Sequence, residues 1–280
     1  MTFSRRSLLR FASSAIPLQM LNKLAIAQSP SAASNVTIRD GFPSHPPELA
    51  REMVWVSHYD QKRVRELVDA RPALARAAWD WGFGDWETAL GAASHMGNRP
   101  IAEYLISKGA RPSLFSATML GQLDVVKAFI AAQPGVQRIR GPHSISLLAH
   151  ARMGGAGARG VYEFLQSLND ADQDDVPKPL SAEETALLAG TYVFGVSTTE
   201  QVEVDADMKS YVNSKAYSHP PQLNWTRKGG MTRPLFHLGD HTLYPAGAPS
   251  VRIRFTEEAN AVVMTVSDPE LVLTARRKKA

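Results

Sequence analysis

The chain has 280 residues, 44% of them hydrophobic and 21% charged, with a formal net charge of +4 and no cysteine. That length suits two modest domains, and the lack of cysteine excludes disulfides, thiolate zinc sites and thiol nucleophiles. Four of the 31 Lys and Arg (Arg5, Arg6, Arg10 and Lys23) lie in the first 27 residues, where there is no acid, so the remainder balances the 27 Asp and Glu and argues against a nucleic-acid partner.

Residues 1–27 read as an address. Ser4 to Arg10, SerArgArgSerLeuLeuArg, is followed by a modest apolar stretch and then AlaIleAla at 25–27. This order resembles a twin-arginine signal peptide, with Leu8 where the commonest form has Phe, and it implies cleavage after Ala27 and export of a folded protein to a bacterial periplasm. No later segment is apolar enough to span a membrane. Residues 28–47, rich in Ser, Ala and Pro, read as a flexible leader.

From Glu48 a helical period begins. Its clearest unit is Thr88 to Pro112: Thr88 caps a first helix, Gly97-Asn98 ends it, Ile101, Tyr104 and Leu105 recur at helical spacing, and Gly109 and Pro112 stop the second. Ser57–Val68 aligns with Ser94–Leu105, Leu120–Ile130 with Met96–Ile106, and Ile145–Gly154 with Thr88–Gly97. Short helix pairs cannot bury their apolar faces alone, so neighbours of the same kind are expected. Thr88, Leu90, Ala93, Gly97, Ile101, Leu105, Gly109, Ala110 and Pro112 resemble the ankyrin repeat frame, with Ala89 and Gly91 departing from it. The resemblance implies about four degenerate repeats over residues 48–170.

Trp79 to Trp86 carries three tryptophans and two glycines. In the frame of that resemblance it is a projecting finger, and Trp81, Phe83 and Trp86 become the candidate binding residues, either as a recognition patch or packed inward. Residues 171–180, acidic and proline-bearing, read as a linker. Over 181–280 the period turns from helical to alternating, as in Val251, Ile253 and Phe255 against Arg252 and Arg254, which implies a small antiparallel barrel or sandwich. The opening Leu188–Tyr192 and the closing apolar strand followed by arginine are similar to the lipocalin-like domain that trails β-lactamase-related serine hydrolases. That resemblance brings no catalytic residues.

Chemistry is sparse in the sequence. G-x-S-x-G, S-x-x-K, H-E-x-x-H and P-loop patterns are absent. His237, Asp240 and His241 surround a turn and offer at most three metal ligands. His58 and His95 occupy equivalent places after the first helices of two repeats, where they either hydrogen-bond between stacked turns or share a ligand site, and His143 and His150 read as hydrogen-bonding groups.

The expected fold class is therefore α+β in two domains: an ankyrin-like stack followed by a small antiparallel barrel or sandwich. The expected function is non-catalytic binding, with another protein as partner, no cofactor, no catalytic residue and no metal, and with the β domain serving as cap or as a site for a small apolar ligand. An enzyme or accessory subunit with a polar site in the β-domain cavity is the alternative.

Overall fold

The computed structural model describes residues 40–172, 177–195, 201–206, 217, 219, 221–227, 230–259, 261–269 and 271–278. The signal resemblance, most of the leader and the strand-like run at 210–213 lie outside the described residues. The chain divides into two units, Met1–Ser44 and His45–Ala280. Of the first, Asp40–Ser44 is a turn in which the Ser44 N–H donates to Gly41 O at 2.9 Å.

The second unit begins with helices whose ends the sequence sets. Pro47 occupies the first turn of α1 (Pro47–Val56), where no amide hydrogen is needed. Asp60 caps α2 (Gln61–Ala70), and a short hairpin of β1 (Ala78–Asp80) and β2 (Trp86–Thr88) follows. Thr88 and Asn98 cap α3 (Ala89–His95) and α4 (Arg99–Ser107) by accepting from the amides of Gly91 and Ile101. Ser113 forms a capping box with Ser116 on α5 (Leu114–Met119), and α6 is Leu123–Ala132. Ser146 caps α7 (Leu147–Met153), α8 is Arg159–Ser167, and Ser181 with Glu184 caps α9 (Ala182–Leu188).

The expected ankyrin stack is corrected by this arrangement. Among the described residues the helical part consists of nine short helices, with 3-10 turns after α2, between α6 and α7 and between α7 and α8, and its β-hairpin lies between α2 and α3 alone. Nor is there a solenoid standing apart from a β domain: helices and barrel fall in one compact unit. The helix–glycine–helix signal at Thr88–Pro112 reports local pairing, and local pairing does not oblige the pairs to build an autonomous stack. The β half is a closed barrel rather than a sandwich.

That barrel is an up-and-down antiparallel meander of eight strands: β3 (Gly190–Phe194), β4 (Gln201–Asp205), β5 (Leu223–Arg227), β6 (Arg233–Gly239), β7 (Thr242–Pro245), β8 (Arg252–Glu258), β9 (Ala261–Asp268) and β10 (Leu271–Arg277). Pairing of β10 with β3 closes it and removes the free edges. Tyr192, Val204, Leu223, Leu235, Leu243, Ile253, Phe255 and Met264 fill the interior, so the barrel is a packed core. Tyr192, fully buried, donates its hydroxyl to Leu188 O at 2.8 Å, and Leu180 and Leu188 join the same core beside α9.

Two contacts fasten the barrel to the helices. Phe83, at the tip of the β1–β2 hairpin, packs on the barrel core with its ring centroid 5.9 Å from that of Trp225. On the outer wall, Phe236 and Ala246 pack with Ile145, Ala149 and Tyr217. No helix among the described residues is long and apolar enough to cross a membrane.

Glycine is obligatory where the turn after α5 meets the chain beyond α7. Gly121 has φ +75°, and a Cβ there would lie 1.9 Å from Gly157 O, whereas at Gly109, φ +91°, a Cβ would meet nothing within 4 Å. Gly121→Ala is therefore expected to cost about 3 kcal/mol of stability and Gly109→Ala about 1 kcal/mol, read from urea unfolding of each variant. Equal losses would show that backbone strain, not the close approach, sets both.

Candidate metal centre

The site lies between the helices and the barrel. Its centre is Glu87, fully buried in the middle of β2, where alternation turns Trp86 and Thr88 outward and Glu87 inward. Three imidazoles converge on its carboxylate. His95, the last residue of α3, brings Nε2 to 2.8 Å from Oε1. His58, two residues beyond α1, brings Nε2 to 3.5 Å from Oε2, and His143, in the 3-10 turn Pro142–Ser144, brings Nε2 to 3.5 Å from Oε1. One ligand atom from each of these four residues lies within 4.8 Å of every other.

Hydrogen bonds on the far sides of the rings fix which nitrogen faces inward. His58 Nδ1 lies 3.1 Å from Val54 O and 3.0 Å from Trp55 O. Carbonyl oxygens only accept, so Nδ1 carries the proton and neutral His58 aims a bare Nε2 lone pair at a carboxylate oxygen. An acceptor facing an acceptor at 3.5 Å is a repulsive pair that a cation between them converts into two bonds. Similarly, His143 Nδ1 lies 2.7 Å from Asp85 Oδ2. Carboxylate–imidazole pairing of this kind orients metal-binding histidines. Trp81 Nε1 donates to Glu87 Oε2 at 2.8 Å and holds the carboxylate plane. His95 has no such second bond among the described residues.

Asp85 is the support under His143. It accepts from the His143 backbone N–H at 2.9 Å and from Arg233 Nη1 at 3.0 Å, while Arg233 also donates to Ala246 O and Gly82 O. His143 and Ser144 have φ 59° and 61°, a left-handed pair that costs about 1–2 kcal/mol per residue in the absence of compensating bonds. The Asp85 bonds, the hydroxyl of Tyr217 on His143 O at 2.7 Å and the Gly247 N–H on Ser144 Oγ at 2.8 Å hold it.

The electrostatics follow from burial and pairing. Burial alone depresses the His143 imidazolium, but Glu87 and Asp85 outweigh it and raise its pKa to about 9. Burial pushes the Glu87 carboxyl up, yet His143 and His95 hold it well below the ordinary range. For Asp85 the same opposition ends in a lowered pKa, through His143 and Arg233. His58 is lowered by its own burial. His150 is lowered to about 3 by burial and stays neutral; its Nδ1 lies 2.8 Å from Ser146 O.

A cavity of about 730 Å³ opens beside the cluster, bounded by α1, the hairpin, the His143 turn and the barrel segment 230–234. His58, His95 and His143 line it, while Glu87 sits behind them. For a cation about 2.1 Å from each donor, tetrahedral or octahedral geometry requires donors roughly 3.0–3.4 Å apart. The His–Glu separations, 2.8 and 3.5 Å to Oε1 and 3.5 Å to Oε2, lie around that range, and the four donor atoms as a set lie within 4.8 Å of one another, so a bound cation would draw the wider pairs in. Three imidazoles and one carboxylate suit a divalent first-row transition metal.

The finger aromatics do not share one face. Trp81 lines the cavity, Phe83 packs on the barrel core and Trp86 is 65% exposed. His237 lies at the far end of β6 from Arg233, with Nδ1 3.1 Å from Lys178 O, and Asp240 and His241 make the left-handed β6–β7 turn; neither joins the cluster. Sequence reasoning assigned no metal and passed over Glu87, Asp85 and Arg233. The available signal was the pair His58 and His95, repeated at one offset, with a lone acid in the strand between them.

Two measurements probe this electrostatic design. In chelator-treated protein, His143 stabilises fully below its ordinary pKa of about 6.5, and that contribution is lost as pH rises through about 9, on the order of 3 kcal/mol. The Glu87 contribution, from a depressed pKa, is present above about 4.5 and lost in acid. His150 and His58, held neutral by burial, lose stability as pH falls below about 6.5, so urea midpoints against pH should peak near pH 6.5 and fall on both sides. Replacement of Arg233 by Met, which leaves Asp85 buried with one cationic partner fewer, should lower stability by about 3 kcal/mol at pH 7.

Comparison with known protein families, with characterised proteins and with solved structures finds no match, so the geometry alone carries the functional reading.

Proposed function

We propose that this chain is a mononuclear metalloprotein in which Glu87, His58, His95 and His143 hold a divalent transition metal, and that the adjoining cavity admits a small molecule to it for metal-dependent catalysis. The observation that carries the reading is the inward lone pair of His58, turned toward the Glu87 carboxylate by hydrogen bonds on the opposite side of the ring. A cation would act there as a Lewis acid on a coordinated oxygen. Its arrival would displace the His143 proton, since imidazole ligates in its neutral form.

This reading moves the expected polar site out of the barrel, whose interior is packed with apolar side chains, and onto the helix–barrel boundary. The resemblance of Ser4–Arg10 to a twin-arginine signal supports export to the periplasm as part of the proposal. A route for folded proteins suits a centre whose donors come from separate elements.

The experiment is metal analysis of the chain after dialysis against Zn²⁺ or Co²⁺. One equivalent should be retained by the parent protein. Glu87→Gln and His95→Ala should each weaken affinity at least about 100-fold while preserving the barrel's circular dichroism. In calorimetry near pH 7.5, the binding heat should vary with buffer ionisation enthalpy by about one proton released. Substoichiometric metal, unaffected by Glu87→Gln, would remove the proposal.

A further inference from the structure

The cavity beside the metal donors has a chemistry of its own. Its walls near the donors are apolar: Trp55, Trp81, Met96, Ile145, Met231 and Pro234. Two large aromatics stand at α1 with much of their surface in solvent, Trp55 at 47% and Tyr59 at 58%. Trp55 is on the last turn of α1 and Tyr59 in the turn that follows it, their ring centroids 6.1 Å apart and nearly perpendicular, and Trp81 meets Trp55 edge-on at 6.0 Å. Exposed aromatics grouped around a cavity mouth are a surface for a flat, apolar body.

Charge limits the other end of the ligand. A divalent cation with Glu87 and three neutral imidazoles leaves one positive charge, and the neighbouring Asp85 is already matched by Arg233. A lone net charge against apolar walls is costly, so the ligand that completes the site is a monoanion. Geometry limits its reach as well. A six-coordinate cation held by these four donors would keep two further positions, and because three of the donors line the cavity while Glu87 does not, a ligand in the cavity would be placed to fill them. Neighbouring positions take two oxygens from one molecule.

Resting on the metal reading above, we infer that the cavity binds an aromatic monoanionic chelator with two adjacent oxygens, such as an ortho-diol or an aryl α-hydroxy acid, its ring set among Trp55, Tyr59 and Trp81. The rim is mixed in charge, with Glu48, Arg51 and Glu52 on α1 and Glu52 paired with Arg63, so the preference for an anion comes from the metal centre and not from the mouth.

The test uses the full chain loaded with Co²⁺, whose visible absorption reports the coordination shell. Benzohydroxamate, an aromatic monoanion with two oxygens, should change that spectrum and bind at least tenfold tighter than acetohydroxamate, which has the same chelating group without the ring. Benzamide, with the ring and no anionic chelate, should leave the spectrum unchanged. Trp55→Ala should shrink the preference for benzohydroxamate, and Trp55→Phe should restore most of it. Equal binding of the two hydroxamates to Co²⁺-loaded protein, or a spectral response to benzamide, would overturn the ligand assignment and leave the metal centre standing. Failure to retain Co²⁺ would overturn both. Within a supported assignment, catechol and mandelate compared in the same assay distinguish the diol from the hydroxy acid.

Discussion

The carboxylate of Asp85 is the joint on which both halves of the molecule close. It comes from the hairpin, takes two hydrogen bonds from the His143 turn and one from Arg233 on the first barrel strand after the 230–232 segment. A buried carboxylate with these partners is stable only if all are present, because any one missing leaves uncompensated charge in a dry place. The space around it is equally committed. A Cβ on Gly247 would lie 2.3 Å from the Asp85 Cγ, so the chain that follows β7 passes against this group with no room for a side chain. Position of the His143 imidazole and cohesion of the fold thus share one set of atoms.

Much of the local structure was legible. Thr88, a short polar side chain immediately before an apolar period, was readable as a cap because unpaired amides at a helix start need an acceptor, and it caps α3. The alternation of Val251, Ile253 and Phe255 likewise reported a strand with one dry face, and the barrel contains it. The larger architecture was not legible. Repeated helix pairs suggested a free-standing stack, but a sequence period records what each pair needs to bury and not what will cover it. Here the hairpin tip and the outer wall of β6 supply part of that cover.

The site was hidden for a different reason. Metal motifs are recognisable when ligands sit on one element at fixed spacing, as in two histidines one turn apart. These four donors come from the end of one helix, a three-residue strand, the end of another helix and a strained 3-10 turn, at separations of 29, 8 and 48 residues in the chain. Only folding brings them together. What could be seen was the repetition of His58 and His95. What could not be seen was that Glu87, the residue before the Thr88 cap, faces inward.

The distribution of these pieces along the polypeptide sets an order of events. All four donor residues, with Asp85, precede residue 144, whereas Tyr217, Met231, Arg233, Pro234 and Ala246, which wall and brace the cavity, come from the last third of the chain. During synthesis the N-terminal part emerges first. The four candidate donors are thus synthesised before Tyr217 and Gly247, whose bonds hold the left-handed His143–Ser144 turn, so the cluster takes its final geometry only once the last third of the chain has joined it.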